Sequence, residues 1–571
     1  MKKMKTMLAF ASFTMLGFGQ SIIVKSPVAT GVTPPLSSLT GQVAPANVAG
    51  QYDKTRLDKA AMVADHIGKL SAPSLSISGV NTPYQTTLGT LPVTVTKNFQ
   101  GLGRGYNANW VDQFLLPPDT TMAVGPNHVV QWVNVRLSIM DKNGTPLVGG
   151  SLGYINGNAI WTGLPANSVC RQNNAGDPIL QYDRLANRWI LSQFAFATNS
   201  VSPFQPLTPY SQCIAVSTSP DPAGTYTLYD YSFGNFFPDY GKLGVWPDAY
   251  YITYNTFDIN QTTGASTFTG GQVCAYDRAL MIAGNVGATQ ICTTRLDDKY
   301  ALLPSDMDGS AVPPANSPNY VLSNDWAFIF GPYSLQLQKF HVDFATPANS
   351  TFTDGIGGGF NSFIQIPLNT VVGSCGDNGG PGVPQPGTAR VLDTLGMRPM
   401  YRLAYRNRSG VESLIVTQPI DPPGAAVASM HWLELRSPGA NPPVVYQNGA
   451  INTAGDLNRW MSSGAMDKDG NMAFGYSVSS GTVFPSIRIA GRGRSDIRNT
   501  LRGELEVVTG AGSQTSSAQR WGDYSTMQID PSDDCTFWFT TEYMSATATR
   551  DWATKIVAFK FPSCLPRPPI D

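Results

Sequence analysis

Charge is what this 571-residue sequence has least of. Asp, Glu, Lys and Arg make up 13% of it, and 39 acids against 38 bases leave a net charge of −1. A chain so balanced has no electrostatic reason to seek nucleic acid or an anionic membrane surface, so nucleic-acid partners are excluded. Histidine is scarcer still: His66, His128, His341 and His431 are scattered without ligand spacing, which argues against a zinc site. The seven cysteines contain no C-x-x-C pair. Past the first twenty residues, no apolar run approaches the ~20 residues that cross a bilayer as a helix. No G-x-S-x-G phrase accompanies a histidine, and "GLGRG" (101–105) lacks the Lys-Ser/Thr and helix of a phosphate loop.

What the chain has instead is turn and strand material. Glycine (56) and proline (43) are plentiful beside 42% hydrophobic and 11% aromatic residues, a mix that suits many short strands joined by turns. The N-terminus pairs a basic "MKKMK" with the apolar "MLAFASFTMLGFG", which reads as a signal peptide over residues 1–20 and predicts a secreted or periplasmic protein. In such a compartment, proximity predicts the disulfides Cys170–Cys213, Cys274–Cys292 and Cys535–Cys564, with Cys375 free. Residues 21–90 read as a flexible Pro/Ser/Thr-rich leader, with one short helix at "TRLDKAAMVADHIGKL" (55–70).

From Asp119 onward the sequence repeats itself. "RWMSSGAMDKDGNMAFGYSVS" (459–479) returns as "RWGDYSTMQIDPSDDCTFWFTTEY" (520–543), and similar units begin near Asp119, Asp177, Asp248, Asp306 and Arg402. Each unit carries about four alternating strands, the content of one propeller blade. Asp and Gly in "DKNG" (141–144) and "DKDG" (467–470) mark the hairpins. The expected fold is therefore all-β, a seven-bladed β-propeller over residues 91–565. "LPVTVTKNF" (91–99) would close the ring, and a Gly-rich insertion would occupy 353–388.

Several phrases resemble a family of exported bacterial propeller proteins: "PPDTTMAVGPNHVVQWVN" (117–134), "DPILQYDRLANRWILSQF" (177–194), "GVWPDAYYITYN" (244–255) and the "RWGDYSTMQIDPSDDCTFW" run. The resemblance implies a propeller and export, and brings no catalytic residue with it. A looser resemblance is to sialidase propellers, although their S-x-D-x-G-x-T-W box is unmatched in "GAMDKDGNMAF" and no F-R-I-P phrase opens the first blade.

Carboxylates at the starts of inner strands are the candidate site. Asp119, Asp177, Asp248 and Asp523 each follow Pro or Gly, and in a propeller they would ring one channel mouth. There they would bind ligand, with Asp119, Asp248 and Asp523 as a candidate calcium set. The plainer account is that each Asp caps its own turn. Asp523 stands out because the parallel unit places Ser462 there, so Asp523 and Glu542 are the candidate catalytic pair for glycoside cleavage. Arg402 and Arg488 are candidates to orient an acidic sugar, and Tyr524 to line the site. Trp246, Tyr250 and Trp460 offer stacking faces, against the commoner fate of aromatics as core. The leading functional expectation is a module that binds extracellular carbohydrate or peptide, with or without Ca²⁺. A sialidase-like glycoside hydrolase and a structural envelope or matrix protein are the alternatives.

Overall fold

The computed structural model describes residues 21–39, 79–108, 110, 115–198, 206–324, 334–369, 382–396, 398–422 and 427–564. The signal peptide expected at 1–20, the helix expected at 55–70 and Cys375 lie outside these residues. The described chain is all-β, and its strands form six hydrogen-bonded, mostly antiparallel sheets.

Each sheet grows outward from a first strand by hairpins. Those first strands are Thr120–Val124, Ile179–Asp183, Phe236–Val245, Leu303–Asp308, Met400–Arg408, Asn458–Met466 and Thr526–Ile529. Each touches the next in sequence order, and Thr526–Ile529 touches Thr120–Val124, so the first strands surround a common axis as in a propeller-like fold. One adjacent pair is hydrogen-bonded in parallel, Ser305 opposite Leu403 through Asp308 opposite Arg406, which fuses two sets into an eleven-stranded sheet. Near-complete burial of strands such as Met472–Ser479 reflects sheets covered on both faces.

Five first strands have a residue in the left-handed region, just before the strand at Asp119 (φ 51°), Asp177 (47°) and Ala301 (49°) and at a break in register within it at Tyr240 (55°) and Met461 (50°). Non-glycine residues rarely adopt this conformation, and Asp tolerates it better than most. Since Tyr, Ala and Met also serve there, the turn itself does not require a carboxylate.

The stretch expected to be a flexible leader contributes strands to the outer edges. Ile22–Lys25 pairs antiparallel with Gln290–Thr293, and Ala29–Val32 with Tyr226–Gly234. Further on, Val80–Asn81, Tyr84–Gln85 and Gly89–Thr90 run parallel to Ile364–Asn369, Val444–Ile451 and Gly503–Val508 in turn. Thr94–Gln100 then completes the C-terminal sheet beside Ala553–Lys560, the closing strand expected of "LPVTVTKNF". The segment laces edge after edge, covering backbone groups that would otherwise pair with other chains. The approach is close: a Cβ on Gly503 would stand 2.0 Å from the Gly89 carbonyl oxygen. Brevity hid all of these strands but the last, because an edge strand of two to four residues needs backbone groups more than a side-chain pattern.

Two further expectations change. The third unit begins at Phe236 rather than Asp248, because Pro238, Asp239, Gly241 and Gly244 interrupt the alternation of its first strand. Part of the presumed Gly-rich insertion is Ile364–Asn369, a strand paired with Ser334–His341. The three disulfides form as proximity predicted. Among the described residues no helix is long and apolar enough to cross a membrane.

Candidate functional site at the near end of the axis

At the near end, where the first strands begin, the repeat brings Asp119, Asp177, Asp523 and Tyr524 together with groups that sequence reasoning passed over. Asp119 is fully buried; its Oδ1 accepts from the Asp523 backbone N–H at 3.1 Å and its Oδ2 from Asn134 Nδ2 at 3.0 Å. Asp523 also accepts from the Arg520 guanidinium, which lies 3.7 Å from Asp393. The Tyr524 hydroxyl donates to the Pro178 carbonyl at 2.6 Å, tying the last sheet to the second. The Asp119 carboxylate therefore acts across the seam between the first and last sheets rather than as a cap of its own turn, whereas that of Asp523 is held locally by Arg520.

Lys242 stands among these acids. Its Nζ lies 3.3 Å from the centre of the Tyr240 ring and 4.6 Å from that of Tyr524, and it donates to the Gly241 carbonyl at 3.2 Å. Burial depresses its pKa to about 7, against the opposing pull of Asp523, Asp177, Asp119 and Asp239. Arg398 lies 5.1 Å from the Tyr240 ring centre. Glu542 is the mirror case. Burial, with a smaller contribution from Asp523, raises its pKa to about 7 against hydrogen bonds that favour the carboxylate. Its Oε2 accepts from the hydroxyls of Thr120 at 3.2 Å and Thr541 at 3.1 Å, whereas Oε1 has no hydrogen-bond partner among the described residues. Gly522 sits over that oxygen, where a Cβ would stand 2.4 Å away. Gly522→Ala is accordingly expected to destabilise the chain by about 1–3 kcal/mol through overpacking, read from the urea midpoint. An unchanged midpoint would mean that Glu542 has room to retreat.

Beneath this cluster the axis is filled. Arg402 donates from Nε to Asp306 at 2.5 Å, from one terminal nitrogen to Asp308 at 2.8 Å and from the other to the Met527 carbonyl at 2.8 Å. Gln181 Nε2 donates to Asp306 at 2.7 Å, Gln528 Nε2 to Gln181 Oε1 at 2.6 Å, and the Val124 N–H to Gln528 Oε1 at 3.0 Å. Arg402 is thus committed to the protein itself and does not reach toward a ligand. At the far end Arg406 holds Asp534 through two bonds of 2.8 and 2.6 Å. "DPSDD" forms a hairpin turn there, Asp533 accepting from the Cys535 and Thr536 N–H groups.

The remaining candidates lie elsewhere. Asp248 is exposed in the turn at the far end of the third first strand, accepting from the Tyr251 hydroxyl at 3.1 Å. Asp248 therefore does not join Asp119 and Asp523 as a metal set. Arg488 sits mid-strand in Ser486–Arg492 and pairs with Glu504 at 3.2 Å, on a sheet flank. Trp246, Tyr250 and Trp460 are buried core residues. Among the described residues, the one acid and thiol group that comes within metal-binding distance is Asp469 with Cys535 and Cys564, and those two sulfurs are already joined. Lys242 was legible as a lone cation in "DYGKLGVW" (239–246), and Arg520 in the repeated Arg-Trp phrase. What the sequence does not reveal is that both meet the acids.

No protein-family profile and no curated protein matches the chain. Among solved structures, it is similar to an α-L-arabinofuranosidase of Fusarium graminearum in complex with an iminosugar inhibitor, at 10% identity and TM-score 0.34, covering 83% of this chain and 99% of that one. It is similar to Trypanosoma rangeli sialidase in complex with the inhibitor DANA, at 10% identity and TM-score 0.30, covering 67% of this chain and 54% of that one. A protein of unknown function from Dyadobacter fermentans aligns at 9% identity and TM-score 0.32, covering 67% and 94%.

Proposed function

We propose that the chain is an exported seven-bladed propeller that binds a carbohydrate at the near end of its axis. The blade count rests on the closed circle of first strands, each leading its own antiparallel set. Export rests on the basic-then-apolar N-terminus and on three disulfides, which persist in oxidising compartments. The observation that carries the ligand class is the mixed chemistry of the near end. Asp119, Asp177, Asp239, Asp523 and Glu542 offer acceptors, while Lys242, Arg398 and Arg520 offer donors, beside the rings of Tyr240 and Tyr524. A sugar hydroxyl both donates and accepts, so one pyranose can serve both sets, and tyrosine faces suit its C–H surface. Burying so many charges is costly, and such clusters concentrate at functional sites. The reading requires the loop 382–396, anchored where the Asp393 N–H meets the Gln519 carbonyl, to move as ligand enters.

Calorimetric titration with neutral oligosaccharides, and separately with extended peptides, tests this. Saturable sugar binding that weakens about tenfold or more in Glu542→Gln is expected, with no heat from peptides. Peptide binding alone would overturn the sugar assignment, and binding of neither class would leave the near end as a structural clasp in an envelope or matrix protein. Lys242 and Arg520 already supply positive charge to the carboxylates, so calcium is expected to leave the melting temperature where EDTA puts it.

One observation favours a second reading, glycoside hydrolysis. Glu542, its pKa raised to about 7 by burial with Asp523 nearby, has the character of a proton donor. Release of reducing sugar from oligosaccharides, whose sugar leaving group needs protonation, abolished by Glu542→Gln, would establish it; inertness across an oligosaccharide panel would remove it.

A further inference from the structure

A cavity lies away from the axis, between the second and third sheets, with a volume of about 360 Å³. The edge strand Ile22–Lys25 forms one wall, and the connection through Phe233 and Phe236 forms another. Two cations face it. Lys25 donates to the Ser232 carbonyl at 3.0 Å and lies 5.9 Å from the Phe233 ring centre. The Arg295 guanidinium stacks 3.6 Å above the centre of the Phe236 ring. Neither cation has a carboxylate within ion-pair distance among the described residues. Partial desolvation lowers the pKa of each, and the neighbouring Arg295 lowers that of Lys25 further. The amides supply the rest: Gln272 spends its N–H on the Thr293 carbonyl at 2.7 Å, while Gln290, 1% exposed, presents a buried Oε1 without any hydrogen-bond partner.

We propose that this cavity binds a small hydroxylated carboxylate of the sugar-acid type, its carboxylate forked on Arg295 and neighboured by Lys25, with a hydroxyl donating to Gln290 Oε1. A guanidinium held flat on a phenyl ring presents its edge, the geometry that receives a planar carboxylate through two parallel bonds. The nearby Asp258 offsets part of the Arg295 charge, so the cavity is matched to a monoanion rather than to a phosphate dianion. The buried acceptor discriminates in the same direction. It gains a partner from a ligand hydroxyl and gains none from a plain fatty carboxylate.

Nothing in this assignment depends on the axial cluster. The test is titration of the purified chain at neutral pH and low salt with D-glucuronate, D-glucose and inorganic phosphate, using wild type, Arg295→Ala and Lys25→Ala. Both side chains are exposed, so the variants should melt with the wild type. Glucuronate is expected to bind at least about tenfold more tightly than glucose or phosphate, and to lose about tenfold or more in Arg295→Ala, with a smaller loss in Lys25→Ala. Glucuronate binding that survives Arg295→Ala unchanged lies elsewhere and overturns the proposal. So does phosphate binding as tightly as glucuronate, or no saturation at tens of millimolar.

Discussion

Arg402→Ala is expected to lower the unfolding free energy by about 3–5 kcal/mol, the cost of leaving a buried ionic network without its cation. The guanidinium is the one cation bonded to Asp306 and Asp308 among the described residues, and it also satisfies the Met527 carbonyl. Without it, two carboxylates 2% and 5% exposed stand side by side on one first strand without their countercharge, and three first strands lose a shared donor. Lysine has one charged nitrogen where three separate bonds are made, so Arg402→Lys should recover only part of the loss. Arg488→Ala provides the contrast, since its partners Glu504 and Glu506 are on a sheet flank; it should cost about 1 kcal/mol or less. Urea midpoints for the three variants decide the matter. Equal, small losses for Arg402→Ala and Arg488→Ala would mean that the axial network is not what holds the sheets together.

The second large effect is in pH. Glu542 has its ordinary value of 4.5 when unfolded and about 7 when folded. Between those values the native state holds a proton that the unfolded state has lost, so this contribution to stability is complete below about pH 4.5 and falls as pH rises to about 7, by up to about 1.4 kcal/mol per unit. Lys242 goes from 10.5 unfolded to about 7 folded. Between about 7 and 10.5 the unfolded state binds the extra proton, so stability climbs again at up to the same slope. Together the two groups place a minimum near pH 7. Other buried groups overlie the acid limb: Asp421 and Asp467, raised to about 6, deepen the fall, and His431, lowered to about 4, opposes it. The differences between wild type and variants are therefore the quantities to measure. Glu542→Gln should remove a fall on the order of 3 kcal/mol from the acid limb, and Lys242→Met should flatten the alkaline one. Denaturant midpoints at a series of pH values would show this, and variant curves merely displaced parallel to wild type would refute it. Finding that minimum would mean that these groups cost stability at neutral pH, as the groups of a binding or catalytic cluster do.

How much of this was readable beforehand differs by level. The alternation of apolar residues, the Asp-Gly and Asn-Gly hairpins and the return of the Arg-Trp phrase were enough for an all-β chain of repeated four-strand units, because period-two burial and turn geometry are local properties. The disulfide partners followed from proximity for a similar reason. The lacing of outer edges by residues 22–32 and 80–90 was not readable, since edge strands of two to four residues are held by backbone bonds and leave no side-chain pattern. Asp119, Asp177 and Asp523 were found through their place before the first strands, and the same rule misplaced Asp248, because that unit begins twelve residues earlier. Arg402 shows the remaining limit. Its residue type suggested an arm for an acidic ligand, yet Asp306 and Asp308, from the neighbouring first strand, consume it. Which charges meet depends on register between strands a hundred or four hundred residues apart. Local sequence determined the strands and turns; only closure of the ring decided that Lys242, Asp523 and Glu542 share one buried space, because burial and the distance between charges are properties of the packed axis and not of any segment in it.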